Sequence, residues 1–204
     1  ILDIGGKKVR KRGQFDIEKH PIQVKYVNID PSTNPDYLCN GSSIPIESKF
    51  FDGVICSELL EQVFTFCSIL KEAFRVLKPG GLMFICVPFM FRIHPDPNDF
   101  GRYTDQYLRI ILKEVGFINI MIEKQGLYPS VLVEMLRGCV FEMQNERRPK
   151  SKILQWLLSQ MVIYGKRKAF KFEQRDYFKY HPFFNSYTTG YGIVARKGVC
   201  EHGK

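Results

Sequence analysis

An open, mostly parallel α/β sheet with crossover helices is the fold this sequence predicts, and three observations predict it. Short apolar runs alternate with stretches of helical periodicity. Glycines and acids recur where those runs end. Leu82–Val87 is almost wholly apolar, as a parallel strand buried on both faces is expected to be. The 204 residues suffice for one domain with a substantial core, and 45% hydrophobic against 25% charged residues is ordinary for a soluble globular protein. No apolar run approaches the length of a membrane span, and no signal peptide precedes the first run. The chain begins inside that run and without Met, so an upstream segment is expected.

The elements follow in order. Residues 1–4 read as a buried strand carrying Asp3, and Gly5-Gly6 follow it. Val24–Ile29 is a strand ending at Asp30, with Pro31 barring its continuation into a helix. Phe51–Cys56 is the next strand. Phe66, Ile69, Leu70, Ala73, Phe74 and Leu77 keep helical spacing, and Lys78-Pro79-Gly80-Gly81 stops that helix before the Leu82–Val87 strand. Leu108, Ile111, Leu112 and Val115 line one face of a second helix that Gly116 ends, and Ile118–Ile122 is again a strand. After Gly126 the alternation breaks down into a helical, irregular stretch rich in aromatic and basic residues, and Tyr191–Arg196 is the last strand. The expected organisation is a single domain: a core over 1–126, a helical basic insert or lid over 127–185, and the last strand and tail over 186–204.

The formal charge is +9, and its placement matters more than its size. Residues 7–12 hold five basic side chains and no acid, residues 137–180 hold eleven basic against four acidic, and the remainder is slightly acidic. The charge thus sits in one loop and one late segment, either as a solvated surface or facing an anionic partner. Six cysteines form no C-x-x-C pair, and Cys56 and Cys86 fall within apolar runs. They read as buried thiols of a reducing compartment, and a cytoplasmic location is expected.

In an open α/β sheet a ligand lies beyond the carboxyl ends of the strands, near the point where strand order reverses. The residues at those ends are Asp3 with Gly5-Gly6, Asp30, Asn40-Gly41, and Ser57-Glu58, with Glu61-Gln62 within one turn of the last. Their chemistry suits an adenosyl ligand. Glycines admit a close backbone approach, an acid accepts both ribose hydroxyls, and an amide reaches the adenine edge. A phosphate cradle of the Walker type is missing.

With these residues in place, the sequence resembles the class I S-adenosylmethionine-dependent methyltransferases, in particular their small-molecule and glycan-type group. The stretches that carry the resemblance are "ILDIGG", "YVNIDPS", "NGSSIPIESKFFDGVICSELLEQV", "ILKEAFRVLKPGGLMFICVPF" and "HPDPNDFGRYTDQYLRIILKEVGF", with the final "GYGIVARKG". The resemblance implies a Rossmann-like, seven-stranded, mostly parallel sheet with an antiparallel last strand and helices on both faces. It implies S-adenosyl-L-methionine as cofactor. Asp3, Gly5 and Gly6 are then expected around its methionine end, Asp30 on the ribose, and Pro31, Ser32, Asn40 and Gly41 at the adenine, with Ser57 and Glu58 lining the site. Two positions depart from the family pattern: G-x-G-x-G reads Gly5-Gly6-Lys7-Lys8-Val9, and Gln62 stands where relatives often have His.

Methyl transfer needs positioning, exclusion of water and removal of one proton from the acceptor. The loop "PFMFRIHPDPNDFGRYT" lies over the strand ends, and histidine is the side chain that ordinarily titrates nearest neutrality. His94, Asp99 and Tyr103 are therefore the candidate catalytic residues, with Asp96 as an alternative to Asp99 in orienting His94. Arg92 and Arg102 are candidates for holding an acidic acceptor. The same loop also reads as a proline-bent turn that His94 and Asp99 merely brace. A metal set of His94, Asp96 and Asp99 is the weaker reading, and no metal is expected. "CSELLEQ" replaces the [DNS]-P-P-[YF] motif of base-amine methyltransferases, so a hydroxyl or carboxylate acceptor, small or saccharide- or lipid-linked, is favoured over nucleic acid. The rival classes are an RNA or DNA methyltransferase and a non-catalytic scaffold with a degraded cofactor loop. Ile153, Leu154, Trp156, Leu157, Leu158, Met161 and Val162 in the insert suit a core or lid helix, a homodimer contact or a membrane-surface contact.

Overall fold

The structure, a computed structural model, describes residues 1–8, 19–95, 97–145 and 152–199. Arg10, Lys11 and Arg12 of the basic loop, and Asp96, lie outside the described residues. Two compact units divide the chain: Ile1–Val87 with His94–Glu123 and Gly192–Lys204, and Pro88–Ile93 with Lys124–Tyr191.

The strands are β1 (Leu2–Ile4), β2 (Lys25–Asn28), β3 (Tyr37–Leu38), β4 (Phe51–Ser57), β5 (Leu77–Pro88), β6 (Phe117–Lys124) and β7 (Gly190–Lys197). They form one sheet in the order β3-β2-β1-β4-β5-β7-β6, mostly parallel, with the last strand antiparallel and inserted between β5 and β6. β1 pairs in parallel with both β2 and β4, so strand order reverses there, where the expected ligand residues converge.

Helix α1 (Phe66–Val76) buries Phe66, Ile69, Leu70, Ala73 and Val76, the stripe its spacing predicts. It packs against α2 (Asp105–Val115), which buries Leu108 and Leu112. Thr104 caps the start of α2 by accepting from Tyr107 N, and Gly116, at φ 110°, supplies the left-handed residue that ends it. The ammonium of Lys197 on β7 donates to the carbonyls of Phe74 and Leu77 at the exposed-carbonyl end of α1, where a positive charge is favoured.

Four local expectations change. β3 is a strand of two residues that periodicity could not reveal. Pro31 does not simply block a helix: it opens a 3-10 turn over Pro31–Thr33, where its fixed φ and missing N–H cost nothing. Lys78-Pro79-Gly80-Gly81 does not end α1, whose last residue is Val76. The register passes from Phe51↔Leu77 to Gly53↔Leu82, so these residues bulge out of β5 with Gly80 at φ 78°. Along β5, Met83, Ile85 and Val87 are buried, while Phe84 is 38% exposed. That strand is therefore not covered equally on both faces.

In the second unit α3 (Tyr128–Asn145) pairs with α4 (Lys152–Glu173), followed by α5 (Asp176–Tyr180) and α6 (Pro182–Asn185). Glu173 Oε1 accepts from Leu127 N and Ser130 N, fixing the start of α3 to the end of α4. Of the apolar residues singled out in the insert, Ile153, Trp156, Leu157 and Met161 are exposed. Leu154 lies outside the described side chains. Among the described residues, no helix is long and apolar enough to cross a membrane.

Candidate functional site

Every residue expected at the cofactor site sits in the first unit, Asp3 and Ser57 on β1 and β4 and the others on the loops that leave β1, β2, β3 and β4. After β1 the backbone turns at Gly5, φ 83°, whose N–H donates to Val27 O on β2 at 2.8 Å. Asn28 Nδ2 donates to both Gly5 O and Gly6 O, at 3.1 and 3.0 Å, pinning the loop. A Cβ on Gly6 would stand 2.3 Å from the carboxyl group of the buried Asp3, so the close fold of this loop over Asp3 requires glycine there.

At the end of β2, Asp30 caps the 3-10 turn. Its Oδ1 accepts from Ser32 N at 2.9 Å and its Oδ2 from Ser32 Oγ at 2.8 Å. These bonds hold its carboxyl below the usual carboxylate range, with the charge of Lys7 adding to them. Each carboxylate oxygen retains acceptor capacity, which suits a pair of vicinal hydroxyls. Lys8 pairs instead with Asp36 at 3.1 Å, and Asp36 also accepts from Tyr26 N and so braces β2. Asn40 Oδ1 accepts from Ser42 N and Oγ at 3.0 Å. Gly41 is buried, and a Cβ there would meet Ile4 Cγ2 at 2.6 Å. The pinned glycine loop, the ionised acid and the turn-held amide fit S-adenosylmethionine.

β4 ends at the exposed Ser57, and Glu58 follows in the left-handed region at φ 53°, its N–H donating to Cys86 O at 2.9 Å. A non-glycine residue in that conformation is strained by about 1 kcal/mol or more, and such strain gathers at functional sites. Leu60–Gln62 then forms a 3-10 turn that carries Glu61 inward. Glu61 has no exposed surface, and neither of its carboxylate oxygens has a hydrogen-bond partner among the described residues. Burial, with Glu58 and Asp99 nearby, pushes its pKa up to about 7. Burial also raises Glu58, against the pull of His94 and Arg102.

The loop from His94 to Thr104 closes on this turn through Phe100 N, which donates to Glu61 O at 2.6 Å. His94 Nε2 lies 3.9 Å from Glu61 Oε1, and its Nδ1 lies 3.4 Å from Asp99 Oδ2. Asp99 also accepts from His94 N at 2.9 Å and takes the guanidinium fork of Arg102 at 2.5 and 2.7 Å. Those bonds hold the Asp99 carboxyl far below the usual range, so it stays ionised and orients rather than exchanges protons. Arg102 spends its fork on Asp99, which makes it a brace for His94 instead of a clamp for an acidic acceptor. Tyr103 stacks with Tyr107 and tilts against Phe66, with centroids 5.8 and 4.6 Å apart. Burial raises its hydroxyl above the ordinary value, so at neutral pH it donates and does not act as a base. Arg92 is exposed and belongs to the second unit.

The structure thus brings His94, Asp99 and Arg102 together with Glu58, and adds Glu61. Sequence reasoning placed Glu61 near the strand end and gave it no role. Its signal was an acid directly following two leucines, Leu59-Leu60, within one turn of the strand end.

A family model described as a methyltransferase domain matches residues 10–85. Among solved structures, a SAM-dependent methyltransferase from Archaeoglobus fulgidus aligns with a TM-score of 0.54 at 16% identity, over 96% of this chain and 85% of that one. Phosphoethanolamine N-methyltransferase 2 of Haemonchus contortus, solved with S-adenosyl-L-methionine, aligns with a TM-score of 0.53 at 14% identity, over 97% and 48%. The [4+2]-cyclase SpnF aligns with a TM-score of 0.56 at 17% identity, over 97% and 74%. At such identities the likeness is one of fold. Among curated proteins, none matches the chain. Residues 10–85 match the methyltransferase-domain model, and the chain has the Rossmann-like fold of these S-adenosylmethionine-dependent methyltransferase structures.

Proposed function

We propose that the chain methylates a hydroxyl of a small, saccharide- or lipid-linked acceptor. The observation that supports this reading is the electron-rich pole at the end of β4, where the buried, unbonded Glu61 carboxylate faces His94 Nε2 beside Glu58. A neutral amine is already a nucleophile, whereas a hydroxyl has to lose its proton as the new bond forms. A pole of the buried Glu61, the exposed Glu58 and the half-buried His94 imidazole can draw off that proton.

S-adenosylmethionine, when bound, supplies an electrophilic methyl group. Asp30 and Asn40 hold its nucleoside end in this reading, and the Asp3–Gly6 loop its amino-acid end. Asp99, fixed by Arg102, sets the His94 ring so that Nδ1 faces Asp99 and Nε2 faces Glu61. In the chain alone, the acceptor's proton has His94 Nε2 and the Glu61 carboxylate as destinations, and Glu61, with a pKa of about 7, can take it up and return it to water at neutral pH. The test is incubation with S-adenosylmethionine bearing a labelled methyl group and panels of sugars, hydroxylated small molecules, amines and RNA, with products read by mass spectrometry. A methyl ether formed with equimolar S-adenosylhomocysteine is the expected result. Label confined to an amine or to RNA overturns the reading.

A further inference from the structure

We propose that Glu58, Glu61 and His94 bind one divalent metal ion of the Mn²⁺ or Zn²⁺ class, which receives the acceptor hydroxyl. The role of the ion rests on the hydroxyl-acceptor reading; the site itself does not.

Four observations carry the site. One ligand atom from each of the three residues lies within 4.8 Å of the others. Ligands on one ion at bond lengths of about 2.1 Å stand roughly 3 to 4 Å apart, so small side-chain adjustments seat all three. Glu61 is fully buried, and neither oxygen is hydrogen-bonded among the described residues, which is costly for a carboxylate unless a cation meets it. The 3.9 Å between His94 Nε2 and Glu61 Oε1 is too long for a hydrogen bond, yet suits two ligands of one ion. Finally, Asp99 Oδ2 and Arg102 Nη2 lie 3.4 and 3.3 Å from His94 Nδ1, so the imidazole is braced from behind with Nε2 left facing Glu61.

The charges agree. Arg102 gives both arms of its fork to Asp99, and Glu58 and Glu61 present two carboxyl groups beside one imidazole. Two carboxylates and one imidazole form a donor set between the oxygen sites of Mn²⁺ and the nitrogen-rich sites of Zn²⁺. Three protein ligands leave positions for substrate oxygen. A hydroxyl bound there is acidified: its O–H bond breaks, the electron pair stays on the oxygen bound to the ion, and the proton leaves to solvent. The metal set differs from the His94–Asp96–Asp99 grouping suggested by sequence, because Asp99 is committed to Arg102.

The experiment is uptake of MnCl2 and of ZnCl2 by the whole chain after chelator treatment, read by electron paramagnetic resonance and by calorimetry. One ion per chain is expected, weakened at least 100-fold in E61Q and 10- to 100-fold in D99N, the cost of losing a supporting carboxylate. S-adenosylhomocysteine binding by both variants confirms that they fold. No uptake by the wild-type chain, or uptake unchanged in E61Q, overturns the site. Full methylation of a hydroxyl in chelator overturns the role of the ion and leaves the hydroxyl reading standing. Metal uptake with an amine as the only methylated group leaves the site standing and overturns the hydroxyl reading.

Discussion

Glu72 and Glu61 are both carboxylates largely or wholly withdrawn from solvent in the first unit, eleven residues apart, and their surroundings are opposite. Glu72 Oε1 accepts from Ile44 N at 2.7 Å and from Arg75 Nη2 at 2.7 Å, and its Oε2 accepts from Arg75 Nε at 2.8 Å. Arg75 in turn donates to the carbonyls of Ile44 and Ile46, so one fork ties the 44–46 segment to α1. Glu61 is more deeply buried and has none of this. The neighbouring charges act accordingly: Arg75 lowers the Glu72 pKa, while burial raises that of Glu61. A fold that satisfies one acid so fully does not leave another bare by necessity. The carboxylate without a hydrogen bond among the described residues is the one the proposed chemistry uses, and the satisfied one holds the chain together.

The largest expected effect breaks this comparison on the functional side. E61Q removes the charge and keeps the shape, so kcat is expected to fall by about 10²- to 10⁴-fold, with S-adenosylhomocysteine affinity within about twofold of wild type. Should E61Q turn over normally, the unbonded carboxylate has no part in the chemistry. E72Q, under the same assay, is expected to turn over normally.

On the structural side, E72A removes three charge-assisted bonds and leaves the Arg75 fork without its acid, at an expected cost of about 2–3 kcal/mol in urea unfolding at pH 7. The sign of the pH dependence follows from the lowered pKa. The Glu72 contribution is fully present above the unfolded carboxyl value, near 4.5, and is lost as pH falls through the folded value. The gap between wild type and E72A should therefore narrow as pH falls below about 4.5, and a gap that does not narrow in acid would remove the Arg75 pairing as its cause.

D30A tests the other half of the site. Loss of a paired hydrogen-bond acceptor is expected to weaken cofactor binding by about 1–3 kcal/mol, read by calorimetry. Unfolding in the absence of cofactor should change less, since the hydrogen bonds of the Asp30 carboxylate run to Ser32 of its own turn. Unchanged cofactor affinity would displace the nucleoside from the end of β2.

Elements with a repeating pattern were legible in the sequence, and those set by distant partners were not. The Phe51–Cys56 strand and the buried stripe of α1 are written in local periodicity, while the seven-stranded sheet with its antiparallel last strand came from the family resemblance. β3 is two residues long, too short to alternate. The Lys78–Gly81 bulge reads as a stop because proline and glycine serve both purposes, and only pairing with β4 distinguishes them. His94 and Asp99 stood out in a proline-bent loop. That Asp99 takes the Arg102 fork was not read from the sequence, which offered Arg102 to an acidic acceptor. Glu61 faces His94 across thirty-three residues of chain, and no local signal encodes that meeting.

The smallest effect sharpens the comparison most, because it reads Glu61 without any substrate. In the metal-free chain, kept in chelator, Glu61 binds its proton up to about pH 7 when folded, against an ordinary value of 4.5. Between these values the folded state holds more proton than the unfolded state, so stability falls as pH rises from about 4.5 to 7 and levels off above. Glutamine resembles the protonated acid at every pH. E61Q should match wild type in unfolding free energy at pH 5 and exceed it at pH 8, by about 1 kcal/mol once water relaxation around the partly open pole is allowed for. Adding MnCl2 at pH 8 should reverse the order, since only the carboxylate gains a cation. E61Q less stable than wild type at pH 8 in chelator would mean that Glu61 is paired in solution after all, and it would then belong with Glu72 among the acids that hold the fold.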